Sequence, residues 1–215
     1  MNNWQAHINK TKDLLLSLSV RDTKGQDIDT NIAFKQLQNY ALGVLERRKT
    51  IYFIGNGSDA SIANYASASL AKDTGIHTET FFDFSFITAI ASDSGYDKIF
   101  AEPLRKRMVA GDMLIAISIS GESQNILCAV REALKIGGNV CTLSAMNSGN
   151  KLRSYGTLNF YIPTENLLDA NLCHMEIMNY WVGQMISIVS WQEKIHEIYP
   201  SDSVIDINKN NLNAN

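Results

Sequence analysis

The sequence predicts one α/β domain built on a mostly parallel sheet with helices on both faces. Three observations carry this expectation. From residue 51 onward, short apolar runs of strand length alternate with helix-sized segments, the pattern of βαβ crossovers. The first and third of these runs each end in a glycine- or serine-rich loop that leads into a helix. The 215 residues, 45% apolar and 19% charged, leave room for one substantial core and give no sign of disorder.

The elements follow in order. Residues 4 to 49 read as two helices, with Leu14, Leu15 and Leu18, then Ile32, Leu37, Ala41 and Leu45, at helical spacing. Between them Asp22-Thr23-Lys24-Gly25-Gln26-Asp27 is a loop by composition. Five strands are expected at Ile51–Ile54, Thr78–Phe82, Met113–Ile117, Val140–Leu143 and Asn159–Ile162. Helices are expected over 59–73, 97–108 and 122–136, and a long closing helix over 169–195, with Trp181, Val182, Met185 and Ile188 on one side. The organisation is then N-terminal helices over 1–50 packing on the domain, the α/β domain over 51–198, and a flexible Asn-rich tail over 199–215.

Composition removes several functional classes. Nineteen basic against 22 acidic residues give a net charge of −3, so no general attraction to nucleic acid is expected. No run approaches a membrane span and no secretory signal opens the chain, so a cytoplasmic protein without membrane contact is expected. Cys128, Cys141 and Cys173, spaced by 13 and 32 residues, fit neither a disulfide framework nor a zinc site and read as reduced, buried thiols.

Two loops carry the chemistry. Ile54-Gly55-Asn56-Gly57-Ser58-Asp59 leads from a strand into a helix whose N-terminus presents free N–H groups. It reads equally as a ligand loop or as a plain strand-to-helix turn. Ser118-Ile119-Ser120-Gly121-Glu122-Ser123 offers three hydroxyls, a glycine and a helix N-terminus, a compact cradle for an anion. Its alternative is a helix cap supplied by Ser120 or Ser123. No Gly-Lys-Ser/Thr follows either glycine loop, and GxGxxG with a later acidic residue is missing. Nucleotide and dinucleotide sites are therefore disfavoured.

The two loops, with Ser92-Asp93-Ser94-Gly95-Tyr96 between them, resemble the sugar isomerase (SIS) domain family, and within it the phosphoheptose isomerase branch. There the loops usually read Gly-Asn-Gly-Gly-Ser, Asn-Asp-x-Gly and Ser-Thr-Ser-Gly-Asn-Ser. Phe100-Ala101-Glu102-Pro103, Gly111-Asp112-Met113-Leu114-Ile115 and the closing helix extend the likeness over residues 30 to 190. The resemblance implies a flavodoxin-like three-layer α/β/α sandwich with a five-stranded parallel sheet, assembled as a homotetramer whose sites neighbouring subunits complete. It implies that Ser118, Ile119, Ser120 and Ser123 hold the phosphate of a sugar, and that Asn56, Gly57, Ser58, Ser92 and Asp93 line the sugar itself. The family's threonine is Ile119 here, and its first-loop serine is Asp59. That carboxylate must point away from a phosphate, bind a sugar hydroxyl, or weaken the site.

The resemblance also locates a catalytic set. Aldose–ketose isomerisation needs a base, and an acid or metal to polarise the carbonyl. The family's glutamate falls on Ser69 and the histidine one turn earlier on Tyr65; the closing helix's glutamine falls on Asn171 and its second histidine on Asn179. Some relatives hold zinc on this set. Tyr65, Ser69, Asn171 and Asn179 supply neither a base near neutral pH nor good zinc ligands, so no cofactor is expected, and Ser69 and Asn171 are expected to contact substrate. His174 is the candidate catalytic group; Glu176, Asp83, Asp93, Glu102 and a neighbour's His77 are alternatives. A replication-regulating member of the branch, which binds the DnaA initiator, likewise carries Ser and Asn at the two catalytic positions. The expected function is phosphosugar binding, with aldose–ketose isomerisation of the sedoheptulose 7-phosphate type left open, in the synthesis of surface-polysaccharide sugars. The alternative is a non-catalytic adaptor or regulator that binds a protein partner.

Overall fold

The computed structural model describes residues 3–198; the tail expected over 199–215 lies outside them. Its elements are α1 (Trp4–Leu16), β1 (Ser19–Asp22), β2 (Asp27–Ile28), α2 (Thr30–Glu46), β3 (Thr50–Ile54), α3 (Ser58–Thr74), β4 (His77–Thr80), α4 (Phe84–Ser94), α5 (Ala101–Arg107), β5 (Met113–Ile117), α6 (Gln124–Ile136), β6 (Asn139–Ser144), β7 (Leu158–Tyr161) and α7 (Leu167–Ile198). The strands form one sheet in the order β2-β1-β7-β6-β5-β3-β4. The five strands expected from the sequence pair in parallel, with Ile51 opposite both Thr78 and Met113, Ile115 opposite Cys141, and Leu143 opposite Phe160.

Strand alternation divides the core into two layers. Ile51 and Phe53 of β3 face the same side as Met113, Ile115 and Ile117 of β5, against α2, α3 and α7. Tyr52, Ile54, Leu114 and Ala116 face the other side, against Phe100, Leu104, Ile126 and Val130 of the α5–α6 region. Both faces of the central strands are thus buried, which is why they are continuous apolar runs rather than alternating ones. Helix α2 belongs to this core: Ala33, Leu37, Ala41 and Val44 are fully buried under the sheet.

The sheet has seven strands where five were expected. The segment expected to be only a loop is the turn of a hairpin, and β1 adds antiparallel to β7, with Val20 opposite Phe160. Only Val20 in that hairpin is deeply buried, so it lacks the apolar run by which the other strands announce themselves. Its anchor is polar. Buried Arg153 lies over the Tyr161 ring, donates to Ser148 O, and reaches Ser19 Oγ at 2.8 Å. Residues 84–94 form helix α4, where no helix was expected. Asp83 caps it by accepting from Phe86 N–H, and Phe86, Ile87, Ile90 and Ala91 lean on the second core layer. The helix expected over 97–108 divides into a 3₁₀ turn over Tyr96–Lys98 and the shorter α5.

The cysteines are free; Cys141 and Cys173 are buried and Cys128 is half-buried. Burial pushes the Cys141 thiol up, and burial with the nearby Asp169 carboxylate pushes Cys173 up to about 11. Since only a thiolate reacts, iodoacetamide on the native chain in mildly alkaline buffer should modify Cys128 and spare the other two, as read by peptide mass spectrometry. Leu37→Ala should cost about 2–5 kcal/mol in urea denaturation. Ile32→Ala, on the exposed side of the same helix, should stay within about 0.5 kcal/mol of the parent.

Candidate functional site

From β3 the chain passes outward to β4, then returns across β3 to β5 and continues to β6 and β7. Loops that leave adjacent strands at such a reversal separate toward opposite faces and open a crevice at the carboxyl ends of the strands. The loops at this reversal are those the sequence marks, 55–59 after β3 and 118–123 after β5.

The first loop is shaped by close approach. A Cβ on Gly55 would fall 2.6 Å from the Asp59 carbonyl carbon, so only glycine lets α3 start this near the strand. Gly57 and Ser58 are exposed at the start of α3, and no side chain caps it. Asp59 turns inward: it is buried, and its Oδ2 accepts from Ile119 N–H at 3.1 Å. The Asn56 and Asn125 side chains exchange amide hydrogen bonds of 3.0 and 2.8 Å, and the Tyr96 hydroxyl reaches Asn56 Oδ1 at 3.5 Å. Asn56 therefore ties together the first loop, the start of α6 and the turn after α4.

The serine loop is held from below. Ser118 N–H donates to Leu143 O and Gly121 N–H to Ser118 O. Gly121 has φ +64°, and a Cβ there would stand 2.0 Å from Asn150 Oδ1. Buried Asn150 in turn donates to Ser144 Oγ, Ala145 O and Asn147 O. Glu122, on the outer side of the loop, accepts from the Lys151 ammonium at 2.7 Å and from its N–H at 3.0 Å. Those two bonds hold its carboxyl below the usual carboxylate range.

Ser118 Oγ and Ser123 Oγ lie 3.3 Å apart, and Ser120 Oγ accepts from Glu122 N–H at 3.3 Å. Ser123 occupies the N-cap of α6 without a side-chain capping bond, so its hydroxyl does not perform the capping role that was the alternative reading. The Ile119 side chain packs in the core. The loop thus brings the Ser118 and Ser123 hydroxyls together, with Ser120 turned to the Glu122 amide and the Ile119 side chain in the core.

Other expected site residues lie on the surrounding helices. Ser92 and Asp93 are exposed on the last turn of α4. Ser69 is half-buried on α3. Asn171 is half-buried on α7, its Oδ1 without a hydrogen-bond partner. Tyr65 and Asn179 meet directly: the phenol donates to Asn179 Oδ1 at 2.9 Å. A phenol, a hydroxyl and two amides do not make a zinc site, and among the described residues no three His, Cys, Asp or Glu side chains come together to hold a metal. The residues present do not fit zinc.

His174 is fully buried; one ring nitrogen lies 3.2 Å from Ser144 O and the other 4.0 Å from Asp59 Oδ1. The alternative bases sit elsewhere. Asp83 caps α4, Glu102 pairs with Arg105 within α5, and His77 starts β4 at the amino end of the sheet, 2.9 Å from Thr50 Oγ1. Glu176 lines a groove with Leu15, Phe34 and Tyr180 on the face of α7 toward α1 and α2. Sequence reasoning did not find Asn125 and Asn150. The available signal for Asn125 was an amide directly before Ile126-Leu127 in the first turn of a helix.

No family model matches the chain. Over 142 residues it is 31% identical to the phosphoheptose isomerase of Helicobacter pylori strain 26695, covering 62% of this chain and 72% of that protein. The chain belongs to the phosphoheptose isomerase family. Solved phosphoheptose isomerases share its fold: that of Neisseria gonorrhoeae superposes with a TM-score of 0.72 at 23% identity, over 84% of this chain and 96% of the other. That of Francisella tularensis gives 0.72 at 24% identity, over 85% and 95%. The fold is thus that of an SIS domain, its sheet continued at the β7 edge by the β1–β2 hairpin.

Gly121→Ala probes the loop architecture. A Cβ at positive φ costs about 1–2 kcal/mol by itself, and here it also displaces Asn150. The expected result is an unfolding free energy lower by at least that amount in urea denaturation, with Gly25→Ala, a positive-φ position with no atom within 4 Å, losing less.

Proposed function

We propose that the chain binds a phosphosugar of the sedoheptulose 7-phosphate type in the crevice between the two loops. The observation that carries this reading is the uncapped Ser123 hydroxyl, 3.3 Å from Ser118 Oγ at the N-terminus of α6. A hydroxyl that caps no helix amide, next to helix N–H groups and the positive end of the dipole, suits phosphate oxygens. A cleft lined by Ala60, Ser61, Asn64, Thr80, Phe82 and Asp83 lies beside the first loop, at the carboxyl ends of β3 and β4. It offers the polar groups a sugar needs.

The activity is binding rather than isomerisation. At the family's acid–base positions Tyr65 bonds Asn179, and Ser69 and Asn171 complete the set. None exchanges a proton readily at neutral pH. A protein-binding adaptor, the second reading, draws on the same bond and keeps the fold. Assembly as a homotetramer fits the exposed Trp4, Leu168, Leu172 and Trp191 on the terminal helices. A cytoplasmic setting fits the free thiols, and no described helix is long and apolar enough to cross a membrane. By family, the sugar belongs to surface-polysaccharide synthesis.

Sedoheptulose 7-phosphate at millimolar concentration should raise the melting temperature, and Ser120→Ala should weaken its binding about tenfold, the worth of one hydrogen bond. No stabilisation by any heptose or hexose phosphate would end the phosphosugar reading in favour of the adaptor. Direct assay should show no aldose formation above buffer background, with or without added zinc; turnover would restore the isomerase reading.

A further inference from the structure

The Asp59–His174 contact lies directly beneath the serine loop and is explained by neither the fold nor the loop hydroxyls. Asp59 stands on α3 and His174 on α7, both buried. His174 Nε2 faces Ser144 O at 3.2 Å; a carbonyl only accepts, so Nε2 carries hydrogen. That leaves Nδ1, 4.0 Å from Asp59 Oδ1, and both atoms are buried with no hydrogen-bond partner. A neutral ring would set a lone pair against a carboxylate oxygen, two acceptors facing each other away from water. A proton on Nδ1 replaces that conflict with an ion pair.

The consequences run into the loop. The other oxygen of Asp59 holds Ile119 N–H, and Ser144, whose carbonyl receives the ring, is followed by Ala145, which donates to Ile119 O at 2.9 Å. Both backbone groups of Ile119 are thereby fixed, one through Asp59 and one through the strand end that His174 grips. With its ring enclosed on both sides, His174 has no nitrogen free to serve as a base toward a ligand.

We infer that Asp59 and His174 form a buried carboxylate–imidazolium pair that positions the serine loop for its anion, so that His174 is a positioning residue and not the base. The inference rests on the phosphosugar reading for the identity of the anion, but the pair itself can be tested without any ligand.

The experiment is ring-nitrogen NMR on the full chain labelled with ¹⁵N-histidine, at neutral pH, with His174→Gln assigning the signal. The wild-type His174 ring should carry hydrogen on both nitrogens. In Asp59→Asn, whose amide can donate to Nδ1 while its oxygen keeps Ile119 N–H, the ring should become the neutral form protonated on Nε2 alone. A neutral wild-type ring unchanged by Asp59→Asn would overturn the pair. A second arm follows inorganic phosphate binding through the Ile119 amide resonance. Affinity should fall about tenfold in Asp59→Ala and stay within about threefold in Asp59→Asn, whereas equal affinity in all three proteins would overturn the positioning role. If wild type binds no phosphate, the phosphosugar reading fails, and the ring spectra still decide the pair.

Discussion

A backbone amide at the base of a buried loop must find an acceptor, and in this chain Ile119 finds one in a side chain from the neighbouring loop. The Asp59 Oδ2 to Ile119 N–H bond joins residues 60 positions apart, across the reversal between β3 and β5. Much of the site's order depends on that joint. It ties the two loops together, and it turns the Asp59 carboxylate inward. A carboxylate in the first loop repels phosphate if it points outward. Turned inward it does structural work and leaves the hydroxyls free.

The same logic governs the amides around it. Asn56 and Asn125 satisfy each other, and Asn150 satisfies three acceptors while standing where a Cβ on Gly121 would be. An unpaired buried polar group costs about 1–3 kcal/mol, so closed sets of this kind hold a loop more firmly than apolar packing alone. Rigidity has a functional consequence: a preformed cradle does not spend binding energy on ordering itself when an anion arrives. Glu122 and Lys151 neutralise one another on the outer side of the loop. The charge available to an anion is then the helix dipole and the hydroxyl hydrogens rather than a fixed cation.

How legible this was in the sequence follows from what each part is made of. Strands β3, β5 and β6 are buried on both faces and so appear as apolar runs; β5 matches its expected bounds residue for residue. The β1–β2 hairpin holds to the sheet through Arg153, Ser19 and the backbone pairing of β1 to β7. Such contacts come from residues more than a hundred positions away and leave no local pattern. Helix α4 escaped because Ser92, Asp93 and Gly95 dominate its end, and polar residues with glycine read as a turn. At the site, Gly55 and Gly121 were legible because the close approach of Asp59 and Asn150 leaves no room for a Cβ there. The inward turn of Asp59 was one of three outcomes left open, because direction is set by what lies beneath, and His174 comes from the far end of the chain.

Asn179 and Tyr65 raise the remaining question of what a fold keeps when its proton-transfer groups change. In this family's arrangement α3 and α7 pack side by side, so whatever stands at 65 and 179 must be satisfied there. An acid–base or metal-ligating pair is stabilised by its charges and its ligand. A phenol and an amide need only each other, and a 2.9 Å hydrogen bond provides that. The Tyr65–Asn179 bond stands apart from the two loops, which are held by Asp59, Asn56, Asn125 and Asn150. The serine loop lies at the strand ends and the Tyr65–Asn179 bond on the facing sides of two helices, so the two are physically separate. Under the proposed reading, that separation is what lets a chain of this fold keep recognition of a phosphosugar while its helix positions take up a different duty.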